Sequence, residues 1–151
     1  MNRLTSTQAS SPRRGGFTLI EIMVAVVIVA ILAAIALPSF MDSVRKSRRS
    51  EAFAALSALQ QAQERWRGNN ANYAAMVNLT TIAATTPNGY YAITIAGNDA
   101  TGYTATATGQ GGQASDGSCK ILAVRVLGGN INYGSGAAAA DFTDPGRCWA
   151  R

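Results

Sequence analysis

The stretch of sequence that decides the fold is Gly15–Glu21, which reads GGFTLIE, together with the apolar run that continues it to Leu37. From Phe17 to Leu37 every side chain is apolar except Thr18 and Glu21. As an α-helix this run would be about 31 Å long, since each residue adds about 1.5 Å. Because the hydrocarbon core of a bilayer is about 30 Å thick, the run predicts a helix that can span a membrane.

Glu21 is the anomaly in this run. An ionised carboxylate in the hydrocarbon costs on the order of 2.5–3.5 kcal/mol even on the lenient insertion scale. One interpretation places Glu21 close enough to the lipid headgroups to be solvated. The other is that Glu21 awaits a positive partner that assembly supplies, and the residues alone leave both open.

The segment Gly16–Glu21, followed by Ile22–Pro38, resembles the N-terminus of type IV pilins. The resemblance rests on a small residue at a cut site, an aromatic residue, a lone acid at a fixed offset and a closing proline. It implies a prepilin that a membrane peptidase cuts between Gly16 and Phe17, after which the amine of Phe17 is methylated. Glu21 would then meet the N-terminal amine of a neighbouring subunit in a filament, with Pro38 closing the packed segment.

This resemblance implies a domain organisation. Residues 1–16 would be a leader peptide, 17–38 a transmembrane and filament-core helix, and 39–68 its amphipathic continuation. Residues 69–151 would form a globular part with an αβ-loop, an antiparallel sheet and a disulfide-closed C-terminal loop. The expected fold class is α+β, with a long N-terminal helix packed on a four-stranded antiparallel sheet.

The same resemblance implies partners and a location. The partners would be other pilin subunits, the prepilin peptidase and methyltransferase, and the pilus assembly machinery of the inner membrane. Before assembly the chain would cross the inner membrane once, with its C-terminal domain in the periplasm, and afterwards it would lie in an extracellular pilus. Counting Lys and Arg near the two ends of the span leaves the orientation undecided. The two cysteines and the leader-like start favour an exported C-terminal part.

Net charge says little about partners. The chain carries a formal charge of +5, but removing residues 1–16 with their three arginines leaves 10 bases and 8 acids. The basic run Arg45–Arg49 is read as a solvated face that meets headgroups or an adjacent subunit. A nucleic-acid contact is the alternative, although the run lacks interleaved aromatic residues.

Beyond Pro38 the sequence predicts that the helix continues to Arg67 and stops at Gly68. The proline predicts a kink or a locally unwound turn near residues 34–38, because it removes one backbone hydrogen bond. One apolar stripe at helical spacing is expected to face a sheet, with the opposite face solvated. The stripe comprises Ala52, Ala55, Leu56, Leu59, Ala62, Gln63 and Trp66, and the opposite face comprises Arg45, Arg48, Arg49, Ser57, Gln61 and Arg65.

Alternating side chains predict four strands after residue 90. The first runs through Tyr91–Ile95, the second through Tyr103–Thr108, and the third through Ile121–Leu127. A Gly-Gly-Asn hairpin signal precedes a short fourth strand at Ile131–Tyr133, and the chain from Gly134 onward is expected to be irregular. Short connections between consecutive strands favour an antiparallel meander.

Cys119 and Cys148 are the two cysteines. In an exported domain we expect one disulfide, while buried free thiols in a cytosolic domain are the alternative. The bond would close a loop of about 30 residues and contribute roughly 3–4 kcal/mol in the chain-entropy model. Trp149 beside Cys148 suggests that the tail is anchored by one bond and one large ring. This ending also resembles PilE-type minor pilins.

No constellation of residues supports catalysis, and we expect neither an enzyme nor a cofactor. The chain has no histidine, which is the commonest general base and metal ligand. Asp141 and Asp144 are read as turn-forming residues, with a calcium site as the alternative, and no metal is expected.

The expected function is therefore structural: a subunit, most like a minor pilin, of a type IV pilus that supports pilus biogenesis, twitching or adhesion. Two alternatives remain. One is a pseudopilin of a type II secretion system, and the other is a DNA-binding or adhesive module carried on a pilus.

Overall fold

The computed structural model describes residues 16–143 and 148–149, and over these it has one long helix and a four-stranded sheet. The chain divides between Ser39 and Phe40 into two compact units, which are described separately. The elements are α1 (Leu19–Arg67), β1 (Tyr91–Ala96), β2 (Gly102–Gly109), β3 (Ile121–Leu127) and β4 (Asn130–Gly136), with 3-10 turns at Met76–Asn78, Gly111–Ser115 and Gly117–Cys119. The fold is α+β, as predicted.

In the N-terminal unit, α1 buries none of its side chains. The helix starts after Thr18, whose Oγ1 accepts a hydrogen bond from the backbone N–H of Glu21 at 3.2 Å. It is long and apolar enough to cross a membrane. The helix runs through Pro38 without a break, so the locally unwound turn predicted near residues 34–38 is absent. One proline removes only one hydrogen bond, and the bonds of the neighbouring turns keep the helix continuous.

In the C-terminal unit, α1 packs one face into the core. The predicted stripe is confirmed, because Ala52, Leu56, Leu59, Ala62 and Gln63 are buried and Trp66 is half-buried against the same core. The helix ends as expected before Gly68. There the Asn70 side-chain amide donates to the carbonyl oxygen of Trp66 at 2.8 Å.

The four strands pair in sequence order as an antiparallel meander, which confirms the predicted topology. One transverse row of the sheet joins Ile95 to Ala105, Ala105 to Val124 and Val124 to Tyr133. The expectation of irregular chain from Gly134 onward is wrong at its start. Strand β4 continues to Gly136 because Ile121 and Leu122 of β3 offer it partners, and Ser135 also pairs with Asp141.

The C-terminal tail is held to the sheet as predicted. Cys119 and Cys148 form a disulfide, with their Cα atoms 5.6 Å apart. The Trp149 ring stacks on Phe53 of α1 at 4.9 Å between centroids and contacts Tyr133 at 4.7 Å. Its indole N–H donates to the carbonyl oxygen of Gly134 at 2.8 Å. The tail therefore bridges helix and sheet on the side of β4.

Candidate functional site

The first candidate site is the start of the helix, where Gly16, Phe17 and Glu21 lie close together in sequence. Phe17 is 78% exposed. A Cβ atom added at Gly16 would meet nothing within 4 Å, so this chain does not itself require a glycine there. Any demand for a small residue at Gly16 would come from a protein that reads this segment.

Glu21 lies in the first turn of α1 and is exposed. A carboxylate is favoured there by the positive end of the helix dipole. Two ion pairs form among the described residues, and neither involves Glu21. Pro38 is likewise exposed. An apolar surface and one carboxylate without a cation in the described chain are thus presented together.

The second candidate site is sought among the basic side chains of the C-terminal unit. Three arginines lie over aromatic rings: Arg48 over Tyr90 at 4.4 Å, Arg67 over Tyr73 at 5.0 Å, and Arg125 over Phe142 at 4.2 Å. Arg45 pairs with Asp42 at 2.8 Å. Much of the positive charge that looked free in the sequence is therefore already engaged within the chain.

Arg49 corrects the prediction that it lies on the solvated face. Its side chain is only 15% exposed, and it forms two hydrogen bonds to Asp116, at 2.8 and 2.7 Å. The hydrogen bond that Arg49 donates to the Asp116 carboxylate raises the pKa of Arg49 above its ordinary value. Sequence reasoning missed this pair because 67 residues separate its members, and no local pattern marks either one.

Gln113 extends this contact into a buried network. Its side-chain amide nitrogen, which carries two protons, lies within hydrogen-bond distance of Asp116 at 2.7 Å, of the Tyr91 hydroxyl at 2.8 Å and of the backbone carbonyl oxygen of Arg45 at 3.2 Å. Burial, and then the charge of Asp116, raise the pKa of Tyr91 to about 12. The network fixes the β2–β3 connection against α1 and β1, and it stabilises structure rather than presenting charge.

Three cations of the C-terminal unit have no ion pair, hydrogen bond or ring contact from their side chains among the described residues. Lys46 and Arg65 are exposed, and Lys120 is half-buried at the end of the β2–β3 connection. These three side chains can bind an external anion without first leaving an internal partner.

Asp141 and Asp144 were predicted to form turns, and a calcium site was the alternative interpretation. The Asp141 carboxylate accepts hydrogen bonds from the backbone N–H and the hydroxyl of Thr143, at 2.8 and 2.7 Å. Asp141 thus forms a turn, while Asp144 lies outside the described residues. Within residues 16–143 and 148–149, no group of three or more His, Cys, Asp or Glu side chains is placed to hold a metal ion.

Models of known protein families match the N-terminal and the C-terminal part of the chain. A family model described as "Type IV minor pilin ComP, DNA uptake sequence receptor" matches residues 38–123. A second model, the prokaryotic N-terminal methylation motif, matches residues 11–37.

Two curated relatives are similar over parts of their length. The type IV major pilin protein PilA of Myxococcus xanthus is 40% identical over 90 residues, which cover 59% of this chain and 41% of the relative. The type II secretion system core protein G of Aeromonas hydrophila is 35% identical over 61 residues, which cover 40% of this chain and 43% of the relative. The matched segments thus span less than half of these relatives. Because the minor pilin model covers more than half of this chain and the structure has the predicted helix-on-sheet fold, the chain belongs to the type IV minor pilin ComP family.

Proposed function

We propose that this chain is a minor subunit of a type IV pilus and that its C-terminal unit binds double-stranded DNA. The observation that carries the proposal is the family match over residues 38–123, since that family is described as a DNA uptake sequence receptor. The methylation motif over residues 11–37 supports incorporation into a pilus. A receptor of this kind would reach DNA only after export, with its sheet outside the cell.

Processing and assembly would use the start of α1. The peptidase would cut between Gly16 and Phe17, and methylation of the Phe17 amine would follow. Every side chain from Phe17 to Leu32 is exposed in the single chain, so this apolar surface needs an external partner, first the inner membrane and then other pilins. Glu21 would pair with the amine of a neighbouring subunit.

DNA binding would rely on cations that are free to meet phosphates. Phosphate contacts supply most of the sequence-independent affinity for DNA. Lys46, Arg65 and Lys120 are the candidates, because their side chains have no partner among the described residues. Arg49 is a poor candidate, since Asp116 already neutralises it.

The test of DNA binding is a titration of a fluorescent DNA duplex with the full-length protein in detergent, repeated at several salt concentrations. We expect affinity to fall with salt, with a log–log slope of about −0.9 for each phosphate neutralised. The triple variant Lys46→Gln, Arg65→Gln, Lys120→Gln should bind more weakly, with a shallower slope.

The matched control keeps the charges, as Lys46→Arg and Lys120→Arg, and should retain the wild-type slope. DNA binding would be refuted if the wild-type protein did not bind the duplex at low salt. An unchanged slope in the triple variant would instead reject these three cations as the phosphate contacts.

Processing is tested separately by N-terminal sequencing of protein from the membrane. We expect the wild-type chain to begin at Phe17 and the Gly16→Leu variant to remain uncut. The fold offers no steric objection to a side chain at Gly16, so uncut protein would report on the peptidase rather than on misfolding. Wild-type protein that begins at Met1 would refute processing at this bond.

A pseudopilin of type II secretion is the second candidate, and the similarity to the core protein G of Aeromonas hydrophila favours it. A deletion strain separates the two. Loss of DNA uptake with normal protein secretion supports the pilus, whereas loss of secretion with normal uptake supports the pseudopilin.

A further inference from the structure

Two adjoining open cavities lie beside the C-terminal end of α1, with volumes of about 430 and 350 Å³. Trp66, Asn70 and Asn78 contribute to the walls of both. We call the pair the Trp66 groove. Each volume falls in the range of small-molecule sites, about 300–1,000 Å³. The aromatic rings and side-chain amides of the groove belong to Trp66, Asn70, Asn72, Tyr73, Asn78 and Asn98.

Trp66 is the distinctive member of the groove. Within the described part of the C-terminal unit, the other tryptophan, Trp149, stacks on Phe53 and donates its indole N–H to Gly134. The Trp66 ring has no ring or guanidinium partner among the described residues, and its N–H makes no hydrogen bond there. Its Nε1 is also not among the buried nitrogens left without a partner, so it is open to solvent. A half-buried ring that lines both cavities and an unused hydrogen-bond donor are thus available at one place.

The amides of the groove are partly held in position. Asn70 donates to the backbone carbonyl of Trp66 at 2.8 Å, and Asn98 donates to that of Tyr73 at 3.4 Å. Each fixed amide keeps an oxygen that can accept a hydrogen bond. Asn72 and Asn78 are exposed, and their side chains make no hydrogen bond within the described residues. The groove therefore offers both donors and acceptors, two of them in fixed orientations.

The groove is almost uncharged, and this separates its chemistry from that of a DNA site. Arg65 is the one charged residue among those that line it in the described structure. The neighbouring guanidinium of Arg67 is occupied by the backbone carbonyls of Asn70, Ala71 and Ala100. A duplex would bring a row of phosphates to a surface that has few cations to neutralise them.

Neutral sugars match this surface. A sugar hydroxyl both donates and accepts hydrogen bonds, as an amide side chain does. The C–H face of a sugar ring is apolar and packs on an aromatic face, while a tryptophan N–H can bond a hydroxyl at the edge. We infer that the Trp66 groove binds an uncharged oligosaccharide of at least two rings, with one ring in each cavity. Arg65, which lines one of the cavities, is also one of the three cations proposed to contact DNA, so the two ligands would meet at that residue, but sugar binding does not depend on DNA binding.

The experiment begins with an array of neutral and acidic oligosaccharides, probed with the full-length protein in a detergent that has no sugar headgroup. The tightest neutral oligosaccharide is then titrated while the two tryptophan indole N–H signals are followed by NMR. We expect only one indole signal, that of Trp66, to shift, and we expect the affinity to be insensitive to salt.

Variants locate the site. Asn72→Ala and Asn78→Ala change exposed side chains without hydrogen bonds in the described structure, so both should fold, and each should weaken binding. Trp66→Phe keeps a ring but loses the N–H, and Trp66→Ala should lower the affinity roughly tenfold or more, as loss of an aromatic anchor does. Asn132→Ala, an exposed amide on β4, is the matched control and should bind like the wild type.

Three results would overturn the inference: no neutral oligosaccharide binds, the Trp66 signal does not shift, or Asn78→Ala binds as tightly as Asn132→Ala. A DNA duplex that shifts the Trp66 signal when no neutral sugar does would assign the groove to DNA instead. Sugar binding without DNA binding would leave the inference standing and refute only the DNA-binding part of the proposed function.

Discussion

The two parts of α1 share one helical backbone but differ in how many of their side chains are buried. Between Glu21 and Pro38 the helix is apolar on all sides and buries nothing, whereas from Phe40 to Arg67 it buries one stripe that includes Leu56 and Leu59. A helix that is hydrophobic all round is normally buried in a core or in a membrane. Among the described residues nothing buries the N-terminal part, whereas the C-terminal part packs its stripe into the core of its own unit.

The acidic side chains of the two parts of the chain differ in the same way. Asp116 is almost buried and receives two hydrogen bonds from Arg49 of the same chain. Glu21 has no ion pair among the described residues. A buried carboxylate is tolerated when a cation and hydrogen bonds satisfy it. If assembly buries the N-terminal part, Glu21 needs a cation there, and the amine of a neighbouring subunit is the one proposed above.

The largest expected effect comes from removing that carboxylate. Glu21→Ala should insert into the membrane normally but enter pili roughly tenfold less or worse, because the amine of a neighbouring subunit would be buried without a counter-charge. Immunoblots of sheared pili and of membranes measure the two pools. Glu64→Ala, which removes an exposed acid from the C-terminal part of the same helix, is the control and should assemble normally. Equal incorporation of both variants would mean that Glu21 is only solvated by headgroups.

A pair of leucine variants tests the comparison in the isolated protein. Leu56 is fully buried and Leu32 is 61% exposed. Leu56→Ala should lower the free energy of unfolding by about 2–5 kcal/mol, since it leaves a cavity in the core. Leu32→Ala should leave it within about 0.5 kcal/mol of the wild type. Thermal unfolding in detergent, followed by near-ultraviolet circular dichroism, gives both values. Similar losses in the two variants would contradict the division of α1 into an unpartnered and a packed part.

Interactions between residues close in sequence could be predicted from the sequence, whereas interactions between distant residues could not. Local periodicity predicted the Leu56 and Leu59 stripe and all four strands, because spacing along the chain determines which face a side chain occupies. It could not pair Arg49 with Asp116, since neither residue lies in a pattern that points to the other. The same limit placed Arg49 on the solvated face. The end of β4 was missed because Gly134 and Gly136 have low strand propensity, and pairing with β3 overrides it.

The range of the interactions also explains why the sequence predicted the N-terminal motif but not the Trp66 groove. The N-terminal motif is contiguous, so Gly16, Phe17 and Glu21 could be chosen by sequence alone, and their roles remain predictions. The Trp66 groove combines the end of α1, the connection that follows it and Asn98 from the β1–β2 connection. In the sequence Trp66 was only the last member of an apolar stripe. The two cavities that its half-buried ring lines form only when folding brings these connections beside the end of α1.

The smallest expected effect tests how the C-terminal part satisfies its buried polar groups. The raised pKa of Tyr91, about 12 against an ordinary value of 10.0, means that folding favours the neutral phenol. Its contribution should therefore be fully present below pH 10 and be lost as the pH rises towards 12. Near pH 8, Tyr91→Phe should be about 0.5–1.5 kcal/mol less stable than the wild type, because the hydrogen bond from Gln113 is gone. Between pH 10 and 12 that difference should shrink and then reverse, since only the wild type gains an ionised Tyr91 on unfolding. Denaturant unfolding of both proteins across this range measures the difference directly, and Tyr103, which is present in both, cancels. A difference that stays constant to pH 12 would show that the Tyr91 hydroxyl ionises as freely in the folded protein as in water.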